Sequence, residues 1–129
     1  SIARYVKEQL EKGKKSSLKG NESITARDIS AAAQAGDPLA VKALARAGKF
    51  LGHAVADFLV IFNPTIVIFG GGVSFSGEFL FGPMRKALKK NVMDLEYLDN
   101  LEITTAKLGD DAGLLGALAL AKSKNKHDN

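Results

Sequence analysis

The chain has 129 residues, of which 46% are hydrophobic and 25% charged, with a net charge of +4; this supplies enough apolar material for one packed domain and excludes a disordered segment. The absence of cysteine excludes disulfides and thiolate metal sites, and two histidines are too few for a metal cluster. The basic excess gathers partly in residues 12–19 and 85–90, where no aromatic side chain interleaves with the lysines, so both runs read as solvated surface and no nucleic-acid partner is expected.

No apolar stretch approaches bilayer-spanning length, and no charged leader precedes an apolar region at the start of the chain. A soluble, cytoplasmic protein with no membrane association is expected. Ile2, Val6 and Leu10 stand at helical spacing, and Gly13 then breaks the pattern, so a helix from Ile2 to about Glu11 is followed by an exposed loop through Gly20. Thr25 and Asp28 have the spacing of a capping box and open a second helix running to Gly36. Asp37 caps a third, with Pro38 in the first turn, where its missing N–H costs nothing.

That third helix reaches about Phe62. Val41, Leu44, Gly48, Leu51, Val55, Phe58 and Phe62 form its inward stripe, and Lys42, Arg46, Lys49, His53 and Asp57 the opposite one. From Ala54 onward the helix is apolar nearly all round, so its second half is expected to lie between a sheet and another layer. Asn63 and Pro64 turn the chain into a strand from Thr65 to Phe69. Ser76 is expected to cap the next helix, with Pro83 opening its main part, Leu80, Met84, Ala87 and Leu88 inward, and Arg85, Lys86, Lys89 and Lys90 outward. A loop through Asp99 and Asn100 leads to a second strand, Leu101 to Lys107, then a final helix from Ala112 to about Lys122 and a polar, disordered tail, residues 123–129. The strand–helix–strand order predicts a right-handed β-α-β crossover. Two strands do not make an independent sheet, so the chain is expected to be one piece of a larger α/β protein.

The most informative stretch is IVIFGGGVS, from Ile66 to Ser74: a short apolar run entering three glycines. Ligands bind open α/β sheets beyond the carboxyl ends of such strands, and residues without Cβ let a nucleotide approach the backbone. The stretch lacks a Walker lysine and does not spell the dinucleotide fingerprint, so spacing alone leaves a ligand-free turn open beside a phosphate or nucleotide site. His53 lies on the charged stripe and His127 in the tail; Asp110 and Asp111 precede a helix, where capping accounts for them. The small residues Ala112, Gly113, Gly116 and Ala117 suit close helix packing, and no Ser/His/Asp or Cys/His arrangement supports nucleophilic catalysis.

Asn63-Pro64, the IVIFGGGVS stretch, Gly77-Glu78 and LGDDAGLLGA from Leu108 to Ala117 together resemble the C-terminal part of the ROK family of sugar kinases and repressors, and within it the bacterial glucokinases. Thr25-Ala26-Arg27-Asp28 and Gly36-Asp37-Pro38-Leu39-Ala40 extend the likeness to nearly the whole chain up to Ala121. The resemblance implies the actin-like, ribonuclease-H-like kinase fold, with ATP and Mg2+ as cofactors, glucose as the substrate phosphorylated at its 6-hydroxyl, and a homodimer. It assigns nucleotide contact to Gly70, Gly71, Gly72, Val73 and Ser74. No catalytic residue or metal ligand is implied within this chain: the family's Asp-x-Gly-Gly-Thr phosphate loop, its catalytic aspartate in an Asn-Asp pair, its Glu-x-Gly-His sugar motif and its cysteine-rich zinc motif are not found in this sequence. An inactive C-terminal lobe portion, residues 1–122, is therefore expected, with the sugar-binding portion of a repressor as the alternative and a free-standing interaction module as a third reading.

Overall fold

The computed structural model describes residues 1–106. Helix α1 (Ile2–Glu11) is capped by Ser1 and buries Val6. Helix α2 (Ala26–Gln34) begins at the expected capping box: the Asp28 N–H donates to Thr25 Oγ1 at 3.1 Å, and the Thr25 N–H donates to Asp28 Oδ2 at 2.8 Å. Helix α3 (Pro38–Phe62) begins at Asp37, whose Oδ1 accepts from the amides of Leu39 and Ala40, and ends at Asn63 in the left-handed region, φ 43°. The segment between α1 and α2 is largely exposed, as expected, but is anchored midway. Leu18 is buried, and Ser16 and Ser17 donate to Asp37 Oδ2, so one carboxylate caps α3 and anchors the connection.

Strand β1 (Ile66–Phe69) leads through a 3-10 turn (Gly72–Ser76) into helix α4 (Glu78–Asn91); helix α5 (Glu96–Asp99) then precedes strand β2 (Glu102–Thr105). The strands pair in parallel, Ile66 opposite Glu102 and Phe69 opposite Thr105, with α4 in the crossover as expected. Three local expectations fail. Ser76 does not cap α4, because it belongs to the preceding turn and is buried; Gly77 occupies the cap position. Pro83 does not open α4 but lies inside it, and α5 occupies what was expected to be loop. The expected final helix, the tail and Lys107 at the end of the expected second strand lie outside the described residues.

The core has two clusters joined by α3. Val6, Leu18, Ile29 and Leu44 centre the first, formed by α1, α2 and the first half of α3. The second half of α3 contributes Val55, Ala56 and Leu59 to the other, against Leu80, Phe81, Met84 and Leu88 of α4, with Phe69 of β1 against Phe81 at 5.6 Å between ring centroids. The helices come close because of two glycines. A Cβ at Gly52 would lie 2.5 Å from the Met84 carbonyl oxygen, and one at Gly48 would collide with that of Leu80. Of the expected inward stripe of α3, Leu44, Gly48 and Val55 are buried and Val41, Leu51 and Phe58 half-buried; Ala43, Gly52, Ala56 and Leu59 are buried beside them, which widens the stripe on its small-residue side. Phe62, expected inward, is 38% exposed and stacks on Phe58 at 4.6 Å. Among the described residues, no helix is long and apolar enough to cross a membrane.

Candidate nucleotide-binding loop

Parallel pairing with β2 sets the direction of β1 and delivers residues 70–77 to its carboxyl end. The three consecutive glycines have different tasks. Gly71, with φ 79° and ψ −166°, occupies a backbone region open essentially to glycine alone, and among the described residues no atom beyond its chain neighbours lies within 4 Å of where its Cβ would be. Gly72 instead faces inward: its Cβ would meet that of Ala26 on α2 at 3.0 Å. Gly70 is the half-buried exit from the strand. Ser74 closes the turn by donating both its amide, at 3.1 Å, and its hydroxyl, at 2.6 Å, to the Gly71 carbonyl oxygen.

Helix α2 buttresses this loop, which the sequence reading did not anticipate. Ser76 is 1% exposed, and its hydroxyl lies 2.6 Å from that of Ser30; Gln34 donates to the Phe75 carbonyl oxygen at 3.4 Å, and the Arg27 guanidinium sits 4.8 Å from the Phe75 ring centroid. The signal was a small residue and a hydroxyl, Ala26 and Ser30, four apart on one face of α2. The capping box orients that face. Hydrogen bonds from the Thr25 backbone and hydroxyl hold the Asp28 carboxyl below its ordinary value, so the cap is charged at neutral pH.

Residues 70–77 carry no titratable side chain. What these residues present is backbone at the exposed Gly71 and Gly77 beside the half-exposed Phe75 ring, on a turn fixed from behind; such an arrangement can bind a ligand but has no group to move a proton. Among the described residues no group of three His, Cys, Asp or Glu could hold a metal ion. His53 is exposed on α3 as expected, and Asp110 and Asp111 lie outside the described residues. Two grooves, of about 650 Å3 between α1 and α3 and about 590 Å3 between α3 and α4, include none of residues 70–77.

Residues 2–124 match the ROK family. The chain is 37% identical over 128 residues to a glucokinase of Thermotoga maritima, covering 96% of this chain and 40% of that protein. Its fold resembles that of a ROK family glucokinase from Streptomyces griseus solved with glucose and AMPPNP, with a TM-score of 0.71 at 31% identity, covering 96% of this chain and 41% of that one. It also resembles a ROK family transcriptional regulator homologous to the E. coli MLC protein, with a TM-score of 0.79 at 28% identity, covering 95% of this chain and 31% of that one. The helix-rich α/β architecture with its small parallel sheet is thus that of part of the actin-like sugar-kinase fold. The chain spans about two fifths of the length of the curated glucokinase it matches.

Proposed function

The chain belongs to the ROK family, and on that premise we propose that it is the C-terminal lobe portion of an ATP-dependent glucokinase, with residues 70–74 contributing to the adenosine side of the ATP site. The observation that carries this reading is Gly71: a glycine-only conformation, open to solvent, at the carboxyl end of a parallel strand. Gly70, Gly71 and Gly72 bring backbone to the nucleotide, while Val73 and Ser74 form the turn that fixes them. Similarity to glucokinases supports a sugar as the substrate, and transfer of the γ-phosphate to the 6-hydroxyl of glucose is the corresponding reaction.

Phosphoryl transfer also requires a phosphate cradle and a group that orients the sugar hydroxyl. This chain contributes binding and orientation of the nucleotide; the remaining groups belong to other parts of the parent protein. Mg2+, held mainly by those parts, would neutralise phosphate charge. We place residues 1–122 in this lobe and residues 123–129 in a polar tail, and assign the parent to the cytoplasm as a dimer. Ile61 at 72% exposed and Met93 at 84% provide apolar surface for covering by the rest of the parent or by a second copy.

The repressor reading is supported by the 0.79 TM-score to a transcriptional regulator and by 32% identity over 102 residues to a xylose repressor of Caldicellulosiruptor bescii. Glucose-dependent ADP formation with Mg-ATP, measured on the full-length parent and on this chain side by side, separates the two. Turnover by the parent alone is expected. Absence of turnover with glucose and related sugars in both would put the repressor ahead, and turnover by this chain alone would overturn the assignment of catalytic groups to the rest of the parent.

A further inference from the structure

The groove between α3 and α4 is lined by Lys49 and His53 from one helix and Lys86 and Lys90 from the other, over Ala45, Gly82, Pro83 and Ala87, with Asn91 at one end. Within each helix the two basic groups stand four residues apart, so each pair projects from one face. Lys86 and Lys90 are like charges at a spacing that disfavours a helix, and Lys49 and His53 face them across the groove that Gly48 and Gly52 narrow. Among the described residues, none of the four has an ion-pair or hydrogen-bond partner, although α4 carries Glu78, which pairs with Arg85 at 2.9 Å instead. Asp57, one turn beyond His53 on α3, is not part of the lining. A lysine run that reads as solvated surface in one dimension is therefore half of a two-helix basic groove in three.

We propose that this groove binds a small phosphorylated metabolite, with the lysine ammonium groups on the phosphate and the carbon skeleton over Pro83 and Ala87. Three compact ammonium charges suit a phosphate dianion, and the lining contains no arginine to grip a flat carboxylate in bidentate fashion. It contains no Phe, Tyr or Trp either, which leaves only the small His53 imidazole where a nucleic-acid strand would need a run of stacking platforms. A volume of about 590 Å3 accommodates a sugar phosphate. The site stands independently of the nucleotide reading, because no residue of the 70–77 loop lines it.

The test is calorimetric titration of the full 129-residue chain with glucose 6-phosphate and, separately, inorganic phosphate, comparing the unmodified chain with Lys49→Gln, Lys86→Gln, Lys90→Gln and the triple variant. Lys7→Gln, on α1, serves as the control. These positions are exposed, so the fold is retained, which far-UV circular dichroism checks. Binding of the sugar phosphate more tightly than inorganic phosphate is expected. Each single variant should weaken it about two- to fivefold and the triple variant by roughly tenfold or more, with Lys7→Gln unchanged and affinity falling as salt rises. Equal affinity for the two probes would overturn the metabolite assignment. No saturable binding, or equal losses in Lys7→Gln and the groove variants, would overturn the site.

Discussion

The Ser76 hydroxyl donates to Ser30 across the 2.6 Å contact that ties the glycine turn to α2. The direction follows from the proton count: Ser30 donates its single hydroxyl proton to the Ala26 carbonyl oxygen at 2.9 Å, leaving only its lone pairs for Ser76. Ser30→Ala therefore strands a buried donor and should cost about 1–3 kcal/mol, whereas Ser76→Ala removes one hydrogen bond and should cost about 1 kcal/mol. The double variant should be less destabilised than the sum of the two. Urea unfolding of all four chains checks this, and strict additivity would remove the coupling.

At Gly71 any side chain forces the backbone out of a glycine-only region, at a cost of roughly 1–3 kcal/mol. Gly71→Val should weaken ATP binding in the parent by about tenfold, through both the altered loop and the obstructed approach. Fluorescence titration with a labelled ATP analogue measures it, and an unchanged affinity would remove the glycine loop from the nucleotide site.

Gly48→Ala and Gly52→Ala test the close approach of α3 and α4. Alanine improves helix propensity by about 1 kcal/mol, yet a methyl group at either position meets main-chain oxygen of α4. Each variant should be destabilised by a net 2 kcal/mol or so, as overpacking outweighs propensity. Thermal melting decides the sign: a raised midpoint would mean that α4 moves aside freely.

Asp37 gives the fold an acid-sensitive contribution. Burial raises its pKa, but hydrogen bonds from the Ser16 and Ser17 side chains, and from the Ser17 and Ala40 amides, outweigh that and hold the carboxyl below its ordinary 3.8. With a folded value lower than the unfolded one, the stabilisation is complete above about pH 5 and is lost as pH falls through the folded value. Asp37→Asn should be about 1 kcal/mol less stable at neutral pH, since neutral acceptors hold these donors less strongly. The gap should close progressively below pH 4, read from urea midpoints across pH; a constant gap would assign the loss to packing.

Helix bounds were legible wherever termination is local chemistry: the Thr25/Asp28 box, Asp37 before Pro38, and Asn63-Pro64 each act within one turn. The loop after β1 was legible too, because three glycines have few uses at the end of an apolar strand. Tertiary choices were not. Whether Gly72 faces a ligand or Ala26 depends on where α2 packs, and Ser76 looks like a cap until its hydroxyl is committed to Ser30. The buried face of α3 was legible only in part for the same reason: Leu44, Gly48 and Val55 follow from periodicity, whereas Gly52 and Ala56 are buried because contact with α4 needs small residues that let the backbones approach. Pro83 has the residue type of a helix start, its commonest place, yet the chain of α4 runs through it.

Helix α3 belongs to both hydrophobic clusters, its first half to one and its second half to the other. Neither cluster can dissolve without releasing turns of a helix that the other still holds, so melting of either end is opposed by the hydrogen-bond ladder running into its neighbour. The two clusters should therefore be lost in a single transition. In hydrogen exchange, the amides around Gly48 and Gly52, at the junction, should be the last to yield and should report the global opening of this half of the molecule.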